Sequence, residues 1–208
     1  MSTRRVPHHE RTEQFLDSAA ELIGEAGFDA VTMESVAAKT GTNKAITYRH
    51  FANRGELLLA LFEREMADLD RQVAQALEAP GSYEDRTRAA VHTWFECMAR
   101  HGRVLGALLD AKLMERQIAK RYRTRQDRLF KYFGRVFAKQ FGLPEDTAID
   151  AAAILIAGLM GALDRWIHAP GDETRRRLED TYVSLQFAAL EGLARRVETS
   201  LDPLAGSR

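Results

Sequence analysis

Apolar side chains recur at three- and four-residue spacing along most of the chain, and no run of strict alternation interrupts them. That rhythm predicts an all-α fold, of about nine helices. The first helix is expected from about Glu10 to Ala26, with Phe15, Leu16, Ala19, Leu22, Ile23 and Ala26 forming one stripe. Gly27 stops it as a left-handed residue, and Phe28 supplies the apolar contact that follows. Thr32 is the candidate N-cap of a short helix, Met33 to about Lys39. Gly41 ends that helix, and Thr42 or Asn43 caps another over about Lys44 to Phe51. Helices of two turns do not persist alone in water. These two must therefore pack Val36, Ala37, Ile46 and Phe51 against the first. Asn53 with Glu56 makes a capping box for a long fourth helix, which reaches about Leu77.

Ala79-Pro80-Gly81-Ser82 is the clearest break in the pattern. Beyond it the periodicity predicts a helix from Tyr83 to Arg100, stopped near Gly102, and a shorter one from Val104 to Met114. A long helix over about Glu115 to Phe141 ends at Gly142-Leu143-Pro144. Glu145 and Asp146 then suit the next N-terminus, because carboxylates complement the helix dipole there. That helix runs to His168, Ala169-Pro170-Gly171 breaks again, and the last helix spans about Glu173 to Val197. The tail after about residue 199 carries no pattern and is expected to be disordered.

Composition narrows the picture. The chain has 208 residues, 45% apolar and 29% charged, which is ordinary for a globular protein with a sizeable core. Cys97 is the only cysteine, so no intrachain disulfide forms. The N-terminus, Met-Ser-Thr-Arg-Arg-Val-Pro-His-His-Glu, lacks a signal peptide's apolar stretch. The longest uncharged run, between Asp150 and Asp164, falls short of the roughly 20 apolar residues that span a bilayer. Together these predict a cytoplasmic protein without a membrane partner. Thirty basic and thirty acidic residues give zero net charge, which does not favour nucleic acid. Their order matters more. Five of the seven acids in the first 54 residues lie between Glu10 and Glu25, whereas from Ser35 to Arg54 every charge is positive.

Two short helices joined by a tight Gly-containing turn, behind an amphipathic helix, are the parts of a helix-turn-helix DNA reader. Its second short helix must show a cationic face narrow enough for the major groove and dock its other face on the first helix. Asn43, Lys44, Ala45, Tyr48 and Arg49 suit the first requirement, Ile46 and Phe51 the second. At Gly27-Phe28-Asp29-Ala30-Val31-Thr32-Met33-Glu34-Ser35-Val36-Ala37, and again at Gly41-Thr42-Asn43-Lys44-Ala45-Ile46-Thr47-Tyr48-Arg49-His50-Phe51, the sequence resembles the tetracycline-repressor (TetR) family. The resemblance continues into Asn53-Arg54-Gly55-Glu56-Leu57-Leu58. It covers about fifty residues; the C-terminal part resembles the family only in length and helix count.

The resemblance implies a DNA-binding domain over residues 1–54 and a sensor and dimerisation domain over 55–208. By motif position it implies phosphate contacts from Thr32, Tyr48, His50 and Arg54. Base-edge contacts would come from Lys44 and its neighbours Asn43, Ala45 and Arg49, with Thr42 at the edge of the site. Lysine to guanine and asparagine to adenine are sound physical pairings. Arg4 and Arg5 are candidates for the adjacent minor groove. Thr42 and Thr47 stand where the family usually has aliphatic residues. Thr42 avoids the cost of a buried hydroxyl by capping, and Thr47 by bonding the carbonyl one turn back.

In the C-terminal part the resemblance implies an apolar effector cavity among Trp94, Met98, Phe130, Phe133 and Phe137, with His92, His101, Gln126 and Trp166 as its polar members. Aromatics at helical spacing are also ordinary core. Ala151 to Leu163 is apolar all round, so one face, with Leu155, Gly158, Leu159 and Ala162, needs a partner. The last helix offers two apolar edges, Leu178-Tyr182-Leu185-Ala189 and Val183-Phe187-Leu190. Pairing with a second copy, or burial within one chain, satisfies them; the family implies the dimer. No nucleophile elbow, P-loop, dinucleotide fingerprint or zinc spacing is present, so no enzyme and no cofactor are expected. His8-His9 lacks a nearby third ligand. The expected partners are an operator duplex, a second copy and a largely apolar small molecule.

Overall fold

The computed structural model describes residues 7–109 and 116–201. Its elements are α1 (His8–Ala26), a single 3-10 turn (Phe28–Ala30), α2 (Met33–Lys39), α3 (Lys44–His50), α4 (Arg54–Leu77), α5 (Tyr83–Leu109), α6 (Arg116–Phe141), α7 (Glu145–His168) and α8 (Asp172–Leu201). The protein is all-α, with no strand among the described residues. Among the described residues there are eight α-helices where the pattern predicts nine, because α5 passes through Gly102. Leu105 and Leu108 are 2% and 0% exposed and extend the stripe of Phe95 and Met98. Burial of two leucines outweighs the roughly 1 kcal/mol that a helical glycine costs. The expected helix end at Met114, and the start at Glu115, lie outside the described residues. So do Arg4, Arg5 and the tail beyond Leu201, although α8 itself outruns its expected end at Val197.

The chain divides into two compact units, one from the described residues of Met1–Gln72 and Glu96–Arg121, the other from Val73–Phe95 and Tyr122–Arg208. In the first, Phe15, Leu16, Ala19 and Ile23 of α1 are buried, as are Val31, Met33, Val36, Ala37, Phe51, Leu57, Leu58, Leu61 and Phe62. At about 1.5–3 kcal/mol for each large side chain, this core is what holds α2 and α3 in helical form. Gly27 closes α1 with its N–H on the Ile23 carbonyl at 3.0 Å. Its φ of +88° strains any L side chain, although a Cβ would meet nothing within 4 Å. Arg64 and Glu65 of α4 carry a chain of charge through this unit. Arg64 reaches Asp17 at 2.7 Å, Glu13 at 3.2 Å and the buried Glu65 at 2.9 Å.

The second unit has two apolar clusters. Phe137, Leu143, Ala148, Ala151, Ala152 and Leu190 form one; Val91, Phe95 and Val183 form the other, with Trp94, Trp166 and Leu159 packed on it. Gly134 lets α6 approach α7 closely, since a Cβ there would lie 2.5 Å from Cγ1 of Ile149. Val183 and Leu190, expected at a dimer interface, are instead 1% and 0% exposed within the chain's own core. Tyr182 donates its hydroxyl to the Leu155 carbonyl at 3.1 Å, and Phe187 packs on Tyr83 and Phe141. Burial holds the Tyr182 phenol far above its ordinary range. The apolar residues left bare are others, with Ile154 at 71% and Leu185 at 62% exposed. Helix α7, taken whole, is long and apolar enough to cross a membrane by length and composition, in contrast to its short uncharged run; 22% of its apolar window is buried within the chain.

Candidate nucleic-acid interface

Thr32 starts α2 with a reciprocal cap. The Ser35 N–H donates to Thr32 Oγ1 at 3.0 Å, and the Thr32 N–H donates to Ser35 Oγ at 2.9 Å. Ser35, which the sequence reading passes over, thereby satisfies an otherwise orphan donor. The turn that follows places Gly41 at φ +64°, and the Thr42 N–H returns to the Ala37 carbonyl at 2.9 Å. Thr42 does not cap α3. Its hydroxyl shares a 3.0 Å hydrogen bond with that of Thr40. The cap is Asn43, whose Oδ1 accepts from the Ile46 N–H at 3.0 Å. That uses one of the two lone pairs of the oxygen that a two-point adenine contact employs.

Helix α3 is seven residues long, and its two faces differ in kind. Lys44, Ala45, Tyr48 and Arg49 are exposed on one. On the other, Ile46 and His50 are half-buried and Thr47 is fully buried. Thr47, and not Ile46, is therefore the residue seated most deeply. Its hydroxyl lacks the expected bond to the carbonyl one turn back and has no hydrogen-bond partner among the described residues. The Lys44 ammonium lies 5.6 Å from the centre of the Tyr48 ring and pairs with Glu34 of α2. That pairing raises the Lys44 pKa and lowers that of Glu34, so both are charged at neutral pH.

His50 and Arg54 sit differently from the phosphate-facing roles the motif implies. The His50 ring stacks on His8 at 4.1 Å and 16°, meets Phe15 edge-on, and shares a 3.0 Å hydrogen bond with Thr12. Burial, helped by the charges of His8, Arg49 and Arg11, lowers its pKa. Arg54 donates from Nε to the Val31 carbonyl at 2.6 Å and from Nη2 to the Phe28 carbonyl at 2.9 Å. Its guanidinium also covers the Phe28 ring at 4.5 Å. Both side chains bind the domain's own helices together, which fixes where α3 points.

The residues expected around an effector are divided between the two units. Met98 is buried in the first unit, whereas His92, Trp94, Gln126, Phe130, Phe133, Phe137 and Trp166 belong to the second. Phe137 is 3% exposed and belongs to an apolar core cluster. His92 is exposed and bonds Glu179 at 3.1 Å. His101 is in the first unit, against Glu65. Depressions in the surface lie elsewhere, along Gly192, Arg195, Arg196 and Thr199, and between Arg11 and Lys39.

A short helix with an exposed cationic face, seated by a capped turn on a preceding helix, is a helix-turn-helix arrangement. Residues 15–61 match the family described as bacterial regulatory proteins, tetR family. The chain is 36% identical over 92 residues to the HTH-type transcriptional activator FasR of Mycolicibacterium smegmatis, a match covering 44% of this chain and 42% of that protein. It is 30% identical over 110 residues to the HTH-type transcriptional repressor Rv3405c of Mycobacterium tuberculosis, covering 51% and 52% respectively. These matches thus span about half of the relatives' own length or less. A Pseudomonas aeruginosa PAO1 structure, solved as a candidate transcriptional regulator, shares the fold with a TM-score of 0.80 at 18% identity, covering 93% of this chain and 98% of that one. Over residues 15–61 the chain is thus similar to the tetR family of bacterial regulatory proteins.

Proposed function

We propose that this chain is a transcriptional regulator: a repressor that occupies a palindromic operator as a homodimer and leaves it when a largely apolar small molecule binds the C-terminal part. The observation that carries the DNA-binding reading is the single exposed face of α3, with Lys44, Ala45, Tyr48 and Arg49, inside the tetR-family match. Residues 1–54 read the duplex, with Lys44 and Arg49 on base edges and Thr32 and Tyr48 toward phosphates. Residues 55–208 sense and dimerise. Two copies of α3 then enter successive major grooves about 34–36 Å apart. The effector prefers a different spacing and so shifts the population away from the DNA-bound form. The protein works in the cytoplasm, where its operator is.

The dimer reading is supported by apolar surface on α7 and α8 that the chain leaves bare, around Ile154, Gly158 and Leu185. Contiguous bare apolar surface is costly in water and favours a partner. Half-buried Trp94, Phe133 and Trp166 offer ring surface to an apolar effector. A second reading, an effector-independent regulator or an activator of the same fold, is supported by the burial of Phe137 in an apolar core cluster and by the activator named among the relatives.

Fluorescence anisotropy of the purified chain on its own upstream intergenic DNA tests the proposal. Tight, sequence-selective binding that Lys44→Ala and Tyr48→Ala both weaken is expected. Weak, unselective binding indifferent to both changes would sink it. An operator affinity unmoved by a library of apolar small molecules would leave the effector-independent reading.

A further inference from the structure

Helix α3 is not the only element that presents a base-reading group. We infer that Glu34 of α2 is a specificity-determining residue: with Lys44 it forms a donor–acceptor pair that reads one G·C base pair of the operator. The inference rests on the DNA-binding reading above.

Three observations lead to it. Glu34 and Lys44 are ion-paired across the turn, and their side chains are 57% and 54% exposed. A pair so open to water contributes little to folding. Lys44 also stands at the start of α3, where a cation opposes the helix dipole. Its charge is therefore not placed there for the stability of α3. Finally, Glu34 is the last acid before a stretch in which every charge from Ser35 to Arg54 is positive. On a surface that approaches phosphates, a carboxylate is repelled unless it meets a donor.

The major-groove edge of a G·C pair supplies a further partner for each group. Guanine offers N7 and O6 as acceptors, and cytosine offers its N4 amino group as a donor. Lys44 has donors only and Glu34, ionised, has acceptors only. Held side by side, they match that edge in one orientation. On non-specific DNA the carboxylate keeps Lys44 but finds no base donor and faces phosphates, so Glu34 lowers background affinity while rewarding the right base pair. Tyr48, beneath the Lys44 ammonium at 5.6 Å, limits where the pair can swing.

The test is random-site selection with the full chain, followed by anisotropy on labelled duplexes in which each base pair of a half-site is replaced in turn. Wild type is expected to prefer G·C at one symmetric position of each half-site by about tenfold or more. Glu34→Ala should lose that preference at that position alone and bind unrelated DNA more tightly, with other positions still discriminated. Unchanged preference at every position in Glu34→Ala would overturn the inference. So would a uniform loss at all positions with a lowered melting temperature, because Glu34 would then act through the fold. A wild type that selects no sequence at all is the separate failure of the DNA-binding reading.

Discussion

The Nδ1 atom of His101, on α5, lies 2.8 Å from Oε2 of Glu65, on α4, and the other oxygen of that carboxylate takes Arg64. Glu65 is only 7% exposed, and these two neighbours meet its carboxylate oxygens where water reaches little of it. Because Arg64 also holds Asp17 and Glu13 of α1, one buried carboxylate ties three helices of the same unit. Glu65→Ala is expected to lower stability by about 1–3 kcal/mol, reduced toward the lower end by the partial exposure of Arg64 and His101. Urea unfolding checks this; an unchanged midpoint would show that the network is solvated in solution.

Thr47→Val should stabilise the protein. The hydroxyl is buried without a partner, and valine keeps nearly the same shape. Removing an unpaired buried hydroxyl is worth about 1–2 kcal/mol, a rise of a few degrees in Tm for a chain of this size. A fall in Tm would mean that water or a backbone shift satisfies the group.

Acid should weaken the first compact unit through His50. Its folded pKa lies below the ordinary imidazole value near 6.5, so the unfolded chain binds the extra proton first. The stability this contributes is present above about pH 6.5 and is lost as pH falls toward the folded value. Thermal melts between roughly pH 7 and pH 5 should show a decline that His50→Gln flattens. Equal slopes for the two proteins would contradict this.

Two glycines should respond with opposite signs. Gly102 lies within α5 with open space where a Cβ would sit, so Gly102→Ala gains about 1 kcal/mol of helix propensity. Gly27 also has room, but its φ of +88° makes Gly27→Ala destabilising. Paired denaturant titrations separate conformation from space as the reason for each glycine.

The bare apolar surface predicts an association phenotype. Leu185→Asp and Ile154→Asp place charges on side chains 62% and 71% exposed in one chain, so neither should disturb the fold of the protomer. Sedimentation should show a shift toward monomer, with operator binding weakened in parallel. Mass unchanged in both variants would move the interface elsewhere.

Helix boundaries were legible wherever glycine or proline marks them, as at Gly27, Gly41 and Pro144, because those residues act locally. At Gly102 the same cue misleads, since the burial of Leu105 and Leu108 is a tertiary effect. The exposed face of α3 was readable as residue types at helical spacing. Periodicity alone could not decide between Ile46 and Thr47 for its deepest position, as the two are adjacent. Val183 and Leu185 posed the same difficulty: both edges of α8 are apolar, and only packing against α5 and α7 decides which turns inward. The pairing of Glu34 with Lys44 joins residues ten apart across a turn, beyond the reach of any helical period.

Helix α7 keeps only 22% of its apolar window inside the chain. If a second copy covers the remainder, folding and assembly become one event, and stability becomes a function of protomer concentration. Occupancy of a target at low abundance then rises with the square of the amount of chain made. Halving the amount of such a chain would quarter its dimer at low abundance, a steepness that originates in one under-covered helix.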